Sequence, residues 1–439
     1  MKRKKRIILF CMMAGFVNLY AQQISYLSLS EALSKADAEN RSSKMAVIDQ
    51  QIALSDLRQT DAIFLPQVSV NYNAVITDNP LNAFGFLLQQ SGVSASSFEP
   101  DVLNHPSATH NFSMGIEVKM PLLNLDLIYA RKAARFQEEV YKYKAQYTKD
   151  YVSFEVKKAY TQLQFAHHMK AILMGTKNDV EQIYQSVKNF YDQGLLQKSD
   201  VLNAQVQVNT IESALVKAES SISNASEAVH LVMGLSIEGE IIYLTDSLTQ
   251  NFSDLPSFDC LDMRSDMMAM SKAVEASEAN VKSAKMRLFP KINAFGNYQF
   301  NEKNVVGLKN NSYLAGINLT WNVFSGNENR QKIKSAMFQR NKMQEEFLIY
   351  KDKSRQEVAK VLRDMVDLQA EIKTRKASVE KSEEALRIMT NRHKEGLVST
   401  TDLLQSQAQL SQQQLQYAQT IMSYNITFYY YELLTKINK

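Results

Sequence analysis

Gly194-Leu195-Leu196-Gln197-Lys198-Ser199-Asp200-Val201-Leu202 recurs without a gap as Gly396-Leu397-Val398-Ser399-Thr400-Thr401-Asp402-Leu403-Leu404, an offset of 202 residues. Each copy reads as a helix end, a tight turn and a new helix. Glycine can take the left-handed conformation that stops a helix, Ser199 and Thr401 suit the cap of the next one, and Asp200 and Asp402 favour its positive end. Two further matches extend the repeat. Gly115-Ile116 returns as Gly316-Ile317, and Leu65-Pro66-Gln67-Val68 as Phe289-Pro290-Lys291-Ile292, offsets of 201 and 224. The chain is therefore duplicated, over residues 22–257 and 258–439, and the first copy holds about 23 extra residues between its first two matched segments.

Proline placement indicates what is duplicated. The seven prolines leave residues 122–255 and 291–439 free of the strongest helix breaker. Good helix formers fill 125–193 and 327–395, and about 69 residues at 1.5 Å each span roughly 100 Å. Segments 28–64 and 199–235 are about half that length, so two placed end to end could flank a long one. Ala166, Met169, Leu173, Thr176, Val180, Ile183, Val187 and Phe190 step alternately by three and four. Past the first turn, Val201, Val208, Leu215, Ile222 and Val229 form one column seven apart, and Ala204, Ile211, Ala218, Ala225 and Val232 the other. These are coiled-coil seams. In the second copy Leu403, Leu410, Tyr417, Tyr424 and Tyr431 form the matching column, which reads as rod packing, while its companion is mostly polar.

Between the helices lie four segments of period two. Gln67, Ser69, Asn71 and Asn73 alternate with Val68, Val70, Tyr72 and Ala74; Glu117 and Lys119 lie between Ile116, Val118 and Met120. The second copy sets Lys291, Asn293 and Asn297 against Ile292, Ala294 and Tyr298, then Asn318 and Thr320 against Ile317, Leu319 and Trp321. Each segment is about ten residues, the length of a tilted membrane strand with one apolar and one polar face. Phe112, Phe300 and Trp321 at the margins fit an interfacial aromatic girdle. Four strands cannot close a barrel, since the smallest membrane barrels have about eight. Several chains must share one, and three supply twelve strands. The expected class is mainly α with a small transmembrane β part: long antiparallel coiled-coil helices plus four strands per chain, forming a trimeric twelve-stranded barrel continuous with an α-helical barrel. Residues 78–111, rich in Asn, Ser and Pro, read as a nonperiodic loop at the outer mouth.

Composition narrows the function classes. Lys2 to Arg6 form a basic n-region, Ile7 to Leu19 an apolar run, and Leu19-Tyr20-Ala21 a cleavage site, so residues 1–21 read as a signal peptide. Their loss removes five of the 50 basic residues and none of the 46 acidic ones, leaving a net charge of −1. A nucleic-acid partner has no electrostatic basis in such a chain. Cys11 leaves with the signal, so Cys260 alone remains and no intramolecular disulfide is expected. His167-His168 project about 100° apart on a helix, poor geometry for one metal, and read as solvated or lumen-facing. No phosphate loop, nucleophile elbow or paired-cysteine motif appears, so neither a cofactor nor an enzymatic activity is expected.

Across nearly the whole mature chain, this pattern resembles the TolC family of outer-membrane efflux proteins. The resemblance is carried by the two turns at Gly194 and Gly396, the Leu65-Pro66 and Phe289-Pro290 lead-ins to strands, and Arg264-Ser265-Asp266 at the start of the second copy, where the family often has Arg-Pro-Asp. The insert Asn79-Pro80-Leu81-Asn82-Ala83-Phe84-Gly85-Phe86 looks like an elongated loop of some members. The resemblance implies a homotrimer in the outer membrane of a Gram-negative cell, projecting into the periplasm and meeting a periplasmic adaptor protein and an inner-membrane pump. It implies adaptor contacts at Gly194, Leu195, Ser199, Asp200, Gly396, Leu397, Thr401 and Asp402. Family members carry acidic residues after the second turn that narrow the pore entrance; Asp402 matches the first, whereas the position three further on is Gln405. The lumen face would carry Gln67, Ser69, Asn71, Asn73, Glu117, Lys119, Lys291, Asn293, Asn297, Asn318 and Thr320. A periplasmic coiled-coil scaffold without a pore is the competing class, but it has no use for four alternating strands.

Overall fold

Helix and strand follow the two periodicities closely. In the computed structural model, which describes residues 25–236, 241–250 and 263–436, the first copy runs β1 (Ser25–Leu27), α1 (Leu29–Glu39), α2 (Arg41–Gln59), β2 (Gln67–Thr77), α3 (Pro80–Gln89), α4 (Pro100–Asn104), β3 (Thr109–Leu123), α5 (Leu125–Asp192), α6 (Lys198–Met233) and β4 (Ile242–Leu244). The second runs α7 (Ser265–Met286), β5 (Lys291–Glu302), β6 (Asn310–Thr320), α8 (Glu328–Lys394) and α9 (Thr400–Thr435). The expected signal peptide, Cys11 and Cys260 lie outside the described residues. α5 and α8, of 68 and 67 residues, end within a residue of their expected bounds. Contacts group the chain into two compact units. A sheet unit takes Ser42–Asp150, Pro256–Lys360 and the chain from Leu434 onward; a tip unit takes the chain up to Arg41, Tyr151–Leu255 and Val361–Leu433.

Three departures from expectation have identifiable causes. The segment expected as one helix over 28–64 breaks at Asn40, whose ψ of 125° is not helical. The break is fixed from outside: Asn40 Nδ2 donates to the Val232 carbonyl at 2.6 Å, near the end of α6. Two short strands were not expected, β1 and β4, which pair in parallel from Ser25↔Ile242 to Leu27↔Leu244. Three residues are too few to show a period. The insert is not a featureless loop either: Pro80 and Pro100 start α3 and α4, where the missing N–H costs nothing.

In the tip unit, the core about β1 and β4 gathers Leu27, Ala32, Val156, Tyr160, Leu163, Ile222, Val229, Met233 and Ile242. The heptad positions of α5 and α6 are buried or half-buried, as a seam requires. The Tyr160 hydroxyl lies 3.1 Å from the Leu27 carbonyl and 3.2 Å from Asp246, and burial with the nearby carboxylate pushes its pKa up to about 12. His167 corrects the expectation of a solvated pair. Its Nε2 lies 2.9 Å from the Ile242 carbonyl and its ring tilts against Tyr243, so it helps hold β4.

In the sheet unit, the four long strands are antiparallel in the order β2-β3-β5-β6. A bulge at Pro121 to Leu123 absorbs the missing proline donor. Arg264 and Asp266 form a buried pair at 2.6 Å, with side chains 5% and 8% exposed. Arg264 also donates to the Leu434 carbonyl, and the Tyr350 hydroxyl donates to Asp266. Burial alone would raise the Asp266 pKa; the hydrogen bonds from Arg264 and Tyr350 more than offset it and hold the carboxyl below its ordinary value.

Candidate functional site

Residues paired across antiparallel strands share a face, so the register sorts every strand residue. Gln67 pairs with Lys119, Ser69 with Glu117, Asn71 with Gly115 and Asn73 with Ser113. Glu117 pairs with Asn297, Lys119 with Phe295, and Pro121 with Asn293. Lys291 pairs with Thr320 and Asn293 with Asn318. All eleven candidate lumen residues therefore lie on one face. Lys119 and Glu117 form an ion pair at 2.7 Å, and Lys291 reaches Asp126 at 2.6 Å. Phe295 interrupts the polar face, its ring filling the space over Gly316, where a Cβ would stand 3.0 Å from the ring.

The opposite face is apolar and open. Val68, Val70, Ile76, Ile317 and Leu319 are each at least 59% exposed, and Tyr313 is 82% exposed. Phe112 and Phe300 lie toward one end of this face; Trp321 follows β6 at the other, its indole N–H donating to the Leu288 carbonyl at 3.0 Å. Among the described residues both edges of the sheet are unpaired, along all 11 residues of β2 and all 11 of β6. Strand order and direction make β6 antiparallel to β2, so the β6 edge of one copy can continue onto the β2 edge of the next.

Polar residues beyond the named eleven share the same face. Asn111, Ser113 and Asn301 belong to it and are buried, at 3%, 6% and 2% exposure. The strands run a few residues further than their apolar alternation, which is why the sequence pattern did not reach Asn111, Asn301 and Asn310.

In the tip unit, both turns close as expected of glycine. Gly194 and Gly396 have φ of 76° and 71°, and the amides of Leu195 and Leu397 return to the carbonyls of Phe190 and Arg392 at 2.9 Å. The caps are not the expected ones. α6 begins after Gln197, whose amide donates to Asp200 at 3.1 Å, and Ser199 already lies inside the helix. At the second turn Ser399 takes the capping place: its hydroxyl lies 2.7 Å from the Asp402 carboxylate and accepts from the Asp402 amide at 3.1 Å. Each helix starts earlier than expected, which leaves Ser199 and Thr401 within the first turn and sets the two aspartates three residues past the cap. Leu195 and Leu397 project, 67% and 66% exposed, and Asp402 and Gln405 are both exposed one turn apart on α9.

Behind the turns the two hairpins share one core. Leu403 and Leu404 of α9 pack with Val180, Ile183 and Val187 of α5 and with Ala204, Val208 and Ile211 of α6. Polar side chains of α9 that lie outside both heptad columns reach α5. Gln407 donates to Asp179 at 3.1 Å and Thr176 to Ser411 at 3.1 Å. His393, 5% exposed, sits between the Phe190 ring and the Thr400 hydroxyl. Among the described residues no cluster of His, Cys, Asp and Glu is placed to hold a metal, and no helix is long and apolar enough to cross a membrane.

A family model described as outer membrane efflux protein matches residues 32–235 and 259–427. The outer membrane protein TolC of Vibrio cholerae is 25% identical over 295 residues, which cover 65% of this chain and 64% of that protein. The chain thus spans slightly less than two thirds of that curated relative's length. Among solved structures, CusC superposes with a TM-score of 0.81 at 17% identity, covering 94% of both chains. The CmeC outer membrane channel of Campylobacter jejuni gives 0.81 at 14% identity, over 93% of this chain and 85% of that one. The open state of the MtrE outer membrane channel of Neisseria gonorrhoeae gives 0.78 at 17%, over 93% and 88%.

Proposed function

Because the chain belongs to the outer membrane efflux protein family, we propose that it is one subunit of a homotrimeric outer-membrane duct that carries cargo out of a Gram-negative cell. The observation that carries this reading is the sheet: one polar face, one exposed apolar face and two open edges. Open edges cannot stand in lipid, where each unpaired backbone group costs several kcal/mol, so strands that face lipid must close on one another. Eleven residues at about 3.4 Å, tilted by roughly 45°, rise about 26 Å, close to the apolar thickness of an outer membrane. Three copies supply twelve strands, apolar side to lipid, with Gln67, Ser69, Asn71, Asn73, Glu117, Lys119, Lys291, Asn293, Asn297, Asn318 and Thr320 lining the passage.

The tip turns are the docking points for a periplasmic adaptor and, through it, an inner-membrane pump. Gly194, Leu195, Ser199, Asp200, Gly396, Leu397, Thr401 and Asp402 supply that surface, and the projecting Leu195 and Leu397 support it because a partner that covers them removes exposed apolar area from water. Asp402 and Gln405 narrow the inner entrance. Energy comes from the partners, and the duct itself is passive.

Purified protein in mild detergent should run as a trimer and form conducting channels in planar bilayers. Asp402→Ala should lower the preference for cations; a monomer that conducts nothing would overturn the channel, and unchanged selectivity would remove Asp402 from the entrance.

A further inference from the structure

The insert of the first copy lies on the polar face of the sheet. Gln90, just past α3, donates through Nε2 to the His110 carbonyl at 2.8 Å and to Asn111 Oδ1 at 2.9 Å, while its own carbonyl accepts from Asn310 Nδ2 at 2.8 Å. Asn111 in turn donates to Asn301 at 3.1 Å. α3 packs against β3, β5 and β6 together. Its presence accounts for the burial of Asn111, Ser113 and Asn301, while Asn71 and Asn73 on the same face stay exposed.

Helical spacing fixes which side of α3 is turned away. At about 100° per residue, Ala83 and Gln90 fall on one side, with Ala83 fully buried and Gln90 tied to the sheet. Leu81, Gly85 and Leu88, at positions i, i+4 and i+7, fall on the other. Leu81 is 81% exposed, Leu88 is 55% exposed, and a Cβ at Gly85 would meet nothing within 4 Å. Residues 79–98 contain no charged side chain.

We infer that the Leu81-Gly85-Leu88 stripes of three copies meet one another and close the outer mouth of the duct. This rests on the trimer proposed above. Twelve strands about 4.8 Å apart, tilted by roughly 40°, enclose a ring of about 12 Å radius. That radius is measured to the strand backbones and the inward side chains take up several Å of it, so three helices each about 10 Å thick with their side chains, held against the inner wall, must meet. The surfaces that meet are those opposite the sheet, which are apolar and uncharged, so their contact removes exposed leucine from water without Coulomb repulsion. The gate is separate from the helical tips and would have to be displaced from within by outgoing cargo.

Leu81→Cys and Leu88→Cys, each in a full chain whose Cys11 and Cys260 are replaced by Ser, test the contact in isolated outer membranes. Oxidation should give covalent dimers, and single-channel conductance should fall on oxidation and recover with dithiothreitol. The double variant Leu81→Glu/Leu88→Glu should conduct about three- to tenfold better than the parent, since like charges would drive the stripes apart. A trimer that forms no covalent species from either cysteine, or cysteines labelled by a membrane-impermeant maleimide but never by each other, would overturn the gate, as would unchanged conductance of the double variant. A monomeric chain that conducts nothing would remove the trimer itself, and this inference with it.

Discussion

Gly234→Ala should open the end of α6 far more than Gly194→Ala opens its turn, although the glycines that end α6, α5 and α8 share nearly the same φ, 81°, 76° and 71° at 234, 194 and 396. Forcing alanine into the left-handed region costs roughly 1–2 kcal/mol at each. Alanine also stiffens the unfolded chain by about 0.4–1 kcal/mol of stabilisation, which is common to all three and cancels between them. The surroundings differ. A Cβ at Gly234 would stand 2.5 Å from the Glu39 carbonyl oxygen and 2.9 Å from Asn40 Cα, and backbone cannot swing aside as a side chain can. At Gly194 and Gly396 the Cβ meets nothing within 4 Å. Displacing α1 from α6 should add about 1–3 kcal/mol, the scale of overpacking in a core. A difference of about 2 kcal/mol is a roughly 30-fold change in a local opening equilibrium. Amide exchange followed by mass spectrometry on the detergent-solubilised chain reads this directly at Leu235, whose amide donates to the His230 carbonyl at 3.0 Å, against Leu195 and Leu397 in the other two variants. Acceleration of the same size, within about twofold, at all three turns would refute the reasoning, because it would mean that the collision with Glu39 and Asn40 is relieved at no cost.

The tip should also respond to acid through His393. Burial lowers the pKa of this ring below the ordinary 6.5, with the Asp200 carboxylate opposing in part. The unfolded chain then takes up the proton more readily, so the stability of the tip is full above about pH 6.5 and falls as the pH drops from there toward the folded value. Exchange over residues 386–404, corrected for intrinsic rate, should be faster at pH 5.5 than at pH 7.5, and His393→Gln should abolish that difference; an equal response in both chains would exclude His393. Leu403→Ala removes a side chain 2% exposed in the core shared by the hairpins and should cost about 2–5 kcal/mol, seen as a lower melting temperature of the tip helices by circular dichroism. Arg264→Leu leaves the Asp266 carboxylate buried without its ion pair and should cost about 3–5 kcal/mol, whereas Arg264→Leu/Asp266→Leu should recover much of it; equal loss in both would show that shape and not charge governs the site.

Local chemistry settled a large part of this protein. Heptads specify α5 and α6 because a seam must repeat in register, a long run of good helix formers without proline specifies α8, and the glycines of the two turns are readable because few other residues accept a positive φ. The four strands were legible for the same reason: alternation of Val, Tyr and Ile with Asn, Ser and Lys tells which side of each strand is polar. What alternation cannot tell is which strand lies beside which. Only the pairing of Gln67 with Lys119, Glu117 with Asn297 and Lys291 with Thr320 unites four separate polar sides into one surface. The remaining features that the sequence did not reach depend on contacts between residues far apart in the chain. The break at Asn40 is held by Val232, Gln407 and Ser411 of α9 are bonded to Asp179 and Thr176 of α5, and the insert takes its place through Asn111 and Asn310. Periodicity is set by neighbours three or seven residues away, and so it is written in the sequence; satisfaction of a buried polar group depends on whichever partner the fold brings within 3 Å, and that is decided only when the chain has closed on itself.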